Sequence, residues 1–147
     1  MTLKLYRAAP PRYDRIPITR RPAHWRYMAQ IALEGLPKNT FVRLCTEMHF
    51  TNDAGYNVAV VPELRMCFTG GNARDGEALS DPGGRNVTPN MHHDKFFHMG
   101  VKVFKDDSQI NTWLYFKVLM HAKSTAANGD DLTIDRNLCQ TWLEVWS

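Results

Sequence analysis

The sequence predicts an all-β protein: an antiparallel β-sandwich of jelly-roll type with an extended N-terminal arm. Three observations carry this. Residues 112–123 alternate at period two, with Leu114, Phe116, Val118, Met120 and Ala122 in one apolar row. Trp113, Tyr115, Lys117, Leu119, His121 and Lys123 form the other row. Successive strand side chains point to opposite faces, so the first row belongs in a core. The second is aromatic and amphipathic, and suits partial cover with the lysine tips in water. Similar runs recur at short spacing with turn residues between them, as in sandwiches and barrels. No helical period is supported beyond a single turn over 135–138.

Taken in order, residues 1–24 hold Pro10, Pro11, Pro17 and Pro22, four of the eight prolines. Proline fixes φ and removes an amide donor, so this stretch reads as an extended or polyproline-like arm and not a packed element. Tyr6, Tyr13, Ile16 and Ile18 give it some apolar grip. Residues 25–147 form the sandwich. Its strands are expected at 25–34, 41–50, 56–61, 63–69, 96–105, 112–123, around Leu132 and Ile134, and at 138–146. Pro62 interrupts one run, which suggests an edge, a bulge or a new strand there. Turn chemistry at 35–39, 51–55, 106–108 and 124–131 separates the runs. Residues 70–90 are rich in Gly, Pro, Asp and Asn and hold two large aliphatics, Leu79 and Val87. A loop that long inside a domain is either functional or mobile.

A chain of 147 residues can bury a full core without staples. The three cysteines, Cys45, Cys67 and Cys139, are odd in number, far apart and set in strand patterns, so they read as buried free thiols in a reducing cytoplasm. No apolar signal-peptide core and no run of about 18 apolar residues is present, so the expectation is a soluble protein without membrane contact. Charge is uneven. Residues 1–30 carry seven basic side chains (Lys4, Arg7, Arg12, Arg15, Arg20, Arg21, Arg26) against Asp14 alone, so that segment is +6 while the rest is −3. A basic end on an acidic body suits contact with another surface.

Two sets of residues therefore stand as partner-binding candidates. One is the basic segment: Arg7, Arg12, Tyr13, Arg15, Arg20, Arg21 and Trp25. The arginines there, beside His24, can fork onto phosphates, but they are sparse for nucleic acid and suit an acidic protein surface better. The other is aromatic: Trp113, Tyr115, Trp142 and Trp146 lie on the mixed faces of two late strands. If those strands pair, they make one patch able to hold a subunit or a sugar. A metal reading uses His92, His93 and His98, with His49 or His121 completing the set. It resembles a cupin arrangement but lacks the His-x-His pair and the following glutamate of that pattern. No Gly-x-Ser-x-Gly elbow is present, and Gly70-Gly71 and Gly83-Gly84 lack the lysine of a phosphate loop. Asp106-Asp107 and Asp130-Asp131 sit in turns, where a calcium ion is the alternative to simple turn chemistry. No catalytic residue and no cofactor is expected.

A basic extended arm followed by a small jelly-roll body resembles virion structural proteins, such as phage capsid cement or decoration proteins and small viral coat proteins. The likeness is architectural, spans the whole chain, and transfers no functional residue. It implies a non-enzymatic assembly protein located in the virion after synthesis in the host cytoplasm. Its partners would be other virion proteins and further copies of itself, as a homo-oligomer such as a trimer. The alternatives are a carbohydrate-binding module of the kind found at fibre tips, using Trp113, Tyr115 and Trp142, and a cupin-like metal enzyme.

Overall fold

The computed structural model describes residues 1–21, 25–80, 83–105 and 111–147. Pro22, His24 and the Asp106-Asp107 pair, singled out in the sequence, lie outside the described residues. Among the described residues eleven strands follow one another: β1 (Leu3–Arg7), β2 (Arg15–Thr19), β3 (Arg26–Glu34), β4 (Thr40–Thr51), β5 (Val58–Cys67), β6 (Glu77–Ala78), β7 (Arg85–Val87), β8 (Asp94–Phe104), β9 (Trp113–Lys123), β10 (Asp131–Ile134) and β11 (Gln140–Trp146). The one helical turn among the described residues is a 3-10 turn at Arg136–Leu138.

The strands form two layers. The first runs β1-β11-β4-β8, with β10 continuing the line of β11 beside β4. The second places β9 between β3 and β5, and β6 and β7 share the far edge of β5. Consecutive long strands alternate between layers, which is the two-Greek-key order of a jelly roll. The inward rows are the apolar ones. Val42, Leu44, Met48 and Phe50 of β4 face Leu114, Phe116, Val118 and Met120 of β9, and all are fully buried.

The basic segment is extended, as its prolines require, but it is not unpacked. β1 pairs with β11 along its whole length, from Leu3 opposite Trp146 to Arg7 opposite Trp142. β2 begins beside β10 in the first layer and ends parallel to β9 in the second, with Ile18 opposite Ala122. Ile16 and Ile18 sink into the core between the layers. Ile16 and Ile18 thus pack within the chain, where the segment closes one edge of the sandwich.

The glycine-rich stretch closes the other edge. Leu79 donates its amide to Leu64 O of β5 at 2.8 Å and accepts from Val101 N of β8 at 3.2 Å, bridging the layers. Gly100 permits this approach, since a Cβ there would stand 2.7 Å from Leu79 Cβ. Leu79 and Val87, the two aliphatics of the stretch, are both buried.

Pro62 does not split its run; β5 is one strand. Leu64 turns its carbonyl toward Leu79, and residues two apart in a strand share that direction. Pro62 therefore points its missing donor at the gap between β7 and β6, where no ladder bond is lost.

Candidate assembly surfaces

The arginines of the basic segment are spread around the molecule. Arg12 lies over the Tyr27 ring at 5.0 Å, and Arg26 over the Tyr13 ring at 4.7 Å. These tyrosines, with Pro17, Thr19, Trp25 and Asn72, line a cleft of about 460 Å³. Arg15 reaches Asp14 at 3.8 Å and Asp131 at 4.0 Å. Arg20 donates to Ala127 O at 3.3 Å, while Arg21 is exposed. Arg7 stands apart, beside Trp142 at the margin of the first layer.

The expected single aromatic patch does not form. Trp113 and Tyr115 stand on β9 in the second layer, and Trp142 and Trp146 on β11 in the first, so no shared face unites them. Trp113 and Tyr115 stack with centroids 6.4 Å apart, and Trp113 is 49% exposed.

Further along β9 the outer face is covered, and Lys117 does not reach water. Lys117 is fully buried, with Leu119 and His121 close behind. The start of the glycine-rich stretch folds over this row. Lys117 Nζ donates to Ala73 O at 3.2 Å, and Asp75 lies 4.0 Å away. Buried Glu63 takes Arg65 and Arg74 as ion-pair partners, and Arg74 also lies 4.0 Å above the Trp25 ring. Trp25 in turn meets His121 edge-on at 4.4 Å. Burial pushes the His121 pKa down, and nearby Lys123 and Arg74 push it the same way. Cation–π contact and ion pairing thus consume the charges on this face, leaving a closed structural network.

The outer face of the first layer has the opposite character. β8 alternates, but Phe96, Gly100 and Phe104 turn inward. Phe97, Met99, Val101 and Val103 turn outward and are 48%, 46%, 47% and 50% exposed. At the far margin Leu3 and Leu5 of β1 are 41% and 53% exposed. Between these stripes Glu144 forms a hub. It accepts from Arg43 Nη2 at 2.6 Å and from Trp142 Nε1 at 3.0 Å, and Cys45 Sγ lies 3.8 Å away. Burial works against the charge of Glu144, but the bonds from Arg43 and Trp142 outweigh it and hold the carboxyl below its usual range. The apolar row of β8 was legible as alternation, but the sequence does not reveal which row faces out. The glycine at 100 was the available signal, since it lies on the row pressed against another backbone.

The candidate histidines do not converge. His92 and His93 are exposed side by side, near Asp53 at 3.8 Å and Asp135 at 3.1 Å respectively. His98 points inward, bonded to Ser80 Oγ at 2.9 Å and stacked on Phe96, and burial lowers its pKa. His49 lies against Glu47, and His121 is in the other layer. Among the described residues no group of three or more such side chains could hold a metal ion. Asp130 accepts from the Tyr56 hydroxyl at 2.8 Å. The three cysteines are buried free thiols, and burial pushes Cys45 and Cys139 up to about 11. No helix among the described residues is long and apolar enough to cross a membrane.

No family model and no curated protein matches the sequence. Solved structures do resemble it. A chain in the structure of infectious bursal disease virus, Gx strain, matches 99% of this chain with a TM-score of 0.60 and 9% identity. A chain in the structure of the Gt strain of that virus matches 97% with a TM-score of 0.50 and 11% identity. The present chain spans 33% and 31% of those chains, about a third of their length. At such identities the likeness is one of fold alone, a β-sandwich covering essentially the whole chain.

Proposed function

We propose that the protein is a structural subunit of a virus particle that works by assembly and not by catalysis. The observation that carries this is the apolar stripe of β8, four large side chains each about half exposed on one face. Such patches mark contact sites in proteins of this size. The whole-chain fold likeness to virus-derived chains supports the same reading. In finer terms, the protein is a capsid-associated component of cement or decoration type. It docks on acidic neighbours through the exposed arginines of its first 21 residues and on further subunits through the first layer.

Co-sedimentation with particles from producing cells tests this. The wild-type chain is expected in the particle fraction, and a triple charge reversal at Arg15, Arg20 and Arg21 is expected to leave it at moderate salt. A wild-type chain that stays wholly in the soluble fraction overturns the proposal. The stacked, exposed Trp113–Tyr115 pair favours a second reading, glycan binding. That reading predicts loss of binding on a glycan array for Trp113→Ala with an unchanged melting temperature.

A further inference from the structure

We propose that the outer face of the first layer is covered by a second copy of this chain, across a two-fold axis running along the strands between β4 and β11. The inference rests on the assembly reading above and names the partner. It follows from the order of residues across the sheet. The register sets three outward rows across all four strands: Leu3–Trp146–Phe41–Val103, Leu5–Glu144–Arg43–Val101, and Arg7–Trp142–Cys45–Met99; a further row, Gln140–Glu47–Phe97, spans three of the strands.

The first two rows read the same in both directions. The first is aliphatic, aromatic, aromatic, aliphatic. The second is aliphatic, acid, base, aliphatic. A two-fold axis along the strands lays each row on its own reverse. Leu3 then meets Val103 of the other copy, Trp146 meets Phe41, Leu5 meets Val101, and Glu144 meets Arg43. In these two rows each apolar residue meets an apolar one, and the acid meets the base. In the third row Cys45 is buried in the single chain and offers no contact, Trp142 packs beside Phe97 with ring centroids 6.1 Å apart, and Arg7 lies at the rim over Met99. A different partner would have to reproduce this mirrored order; a second copy supplies it automatically.

The dimensions agree. Four strands at about 4.8 Å spacing and seven residues of β8 at about 3.4 Å give a footprint of roughly 20 by 24 Å. With side chains standing off it, such a face approaches the roughly 800 Å² per partner of a standard interface. Aligned sheets pack at about −30°, which keeps the central rows in contact. Glu144 is already buried within one copy, so docking removes water chiefly from Arg43, which stays ion-paired to it.

The purified full chain tests this by light scattering and by cross-linking. Wild type is expected to be a dimer at micromolar concentration. Val101→Lys, at a site half exposed in the single chain, is expected to keep its circular dichroism and to weaken the dimer by about 30-fold or more. Mixing Leu5→Cys with Val101→Cys under mild oxidation is expected to give a covalent dimer, and either variant alone is not. The three native thiols are buried and stay out of the reaction. Self-cross-linking of Val101→Cys alone overturns the axis, since it places β8 over β8. A monomer or a trimer, or a dimer indifferent to Val101→Lys, overturns the inference. A monomer that still co-sediments with particles leaves the proposed function standing, and a dimer that never does overturns that function alone.

Discussion

Gly100→Ala should loosen the seam between the two layers. Gly100 is not at positive φ, so alanine meets no backbone obstacle there, and the change would otherwise stabilise by about 0.4–1 kcal/mol through the unfolded chain. The obstacle is Leu79. A Cβ at position 100 would stand 2.7 Å from Leu79 Cβ and 2.8 Å from Leu79 O. Relief needs a shift of about 1 Å in a segment held on both sides, through Leu64 O and Val101 N. Two backbone bonds at about 1 kcal/mol each are strained or lost. Overpacking of this kind costs about 1–3 kcal/mol. After the alanine gain, the net loss is about 2 kcal/mol, or a fall of roughly 6 °C in melting temperature for a chain of this size. Gly84→Ala is the control, since its nearest neighbours would lie at 3.7 and 3.9 Å, which is ordinary contact. Urea titration of both variants gives the answer. If Gly100→Ala lies within about 0.5 kcal/mol of Gly84→Ala, the close-approach reasoning is wrong.

Other consequences follow from the buried charges and thiols. Bonds from Lys95 and His49 outweigh burial to hold Glu47 below its usual range, and those from Arg43 and Trp142 do the same for Glu144. Carboxyls lowered in the fold stabilise it above the unfolded pKa and lose that contribution as pH falls through the folded value. The melting temperature should therefore be flat near neutrality and decline below about pH 4.5, less steeply in Glu144→Gln. Lys117→Met should leave stability unchanged or raise it by about 1–2 kcal/mol, because a fully buried ammonium is replaced by a chain of similar volume. The same variant frees the segment anchored through Ala73 O, so trypsin should cut faster after Arg74. Glu63→Gln should cost about 2 kcal/mol by thermal melt, because it strands Arg65 and Arg74 beside Lys117. A disulfide exchange reagent at pH 8 should find no reactive thiol until the chain unfolds, and then all three.

Much of the fold was legible because its alternation is strong. The row from Leu114 to Ala122 packs inward as read, and β3, β4, β8, β9 and β11 fall within a few residues of the expected runs. Two kinds of feature were hidden. The first is pairing between distant segments: β1 meets β11 across almost the whole chain, and nothing local in Leu3–Arg7 records that. The second is the side each row faces. Phe97, Met99, Val101 and Val103 look like a core row, yet the core row is Phe96, Gly100 and Phe104, because Leu79 presses against Gly100. Likewise Lys117 looked solvated because its cover, Ala73 and Asp75, comes from a stretch that reads as loop. The site candidates shared this weakness. Trp113 and Trp142 sit on strands that each alternate correctly but belong to different layers.

The placement of the first 21 residues changes how a docking role must be tested. Deleting the basic segment would remove an edge strand and the crossover that joins the layers, along with Ile16 and Ile18 from the core. Burying two isoleucines contributes about 3–6 kcal/mol, a large share of the stability of a domain this size. A truncated chain that failed to bind would report unfolding, not lost contact. The exposed guanidiniums separate the two effects. Arg21 is exposed, and Arg15 pairs only at long range with exposed acids, so reversing their charge should leave the melting temperature within about 1 °C. Pro17 can hold β2 at an edge without a backbone donor, and its neighbours Ile16 and Ile18 point inward. β2 is therefore a seam whose isoleucines face the core while Arg15 faces outward. Its proline, arginine and isoleucines, which looked like the mixed signals of a loose tail, answer to the two sides of one edge strand.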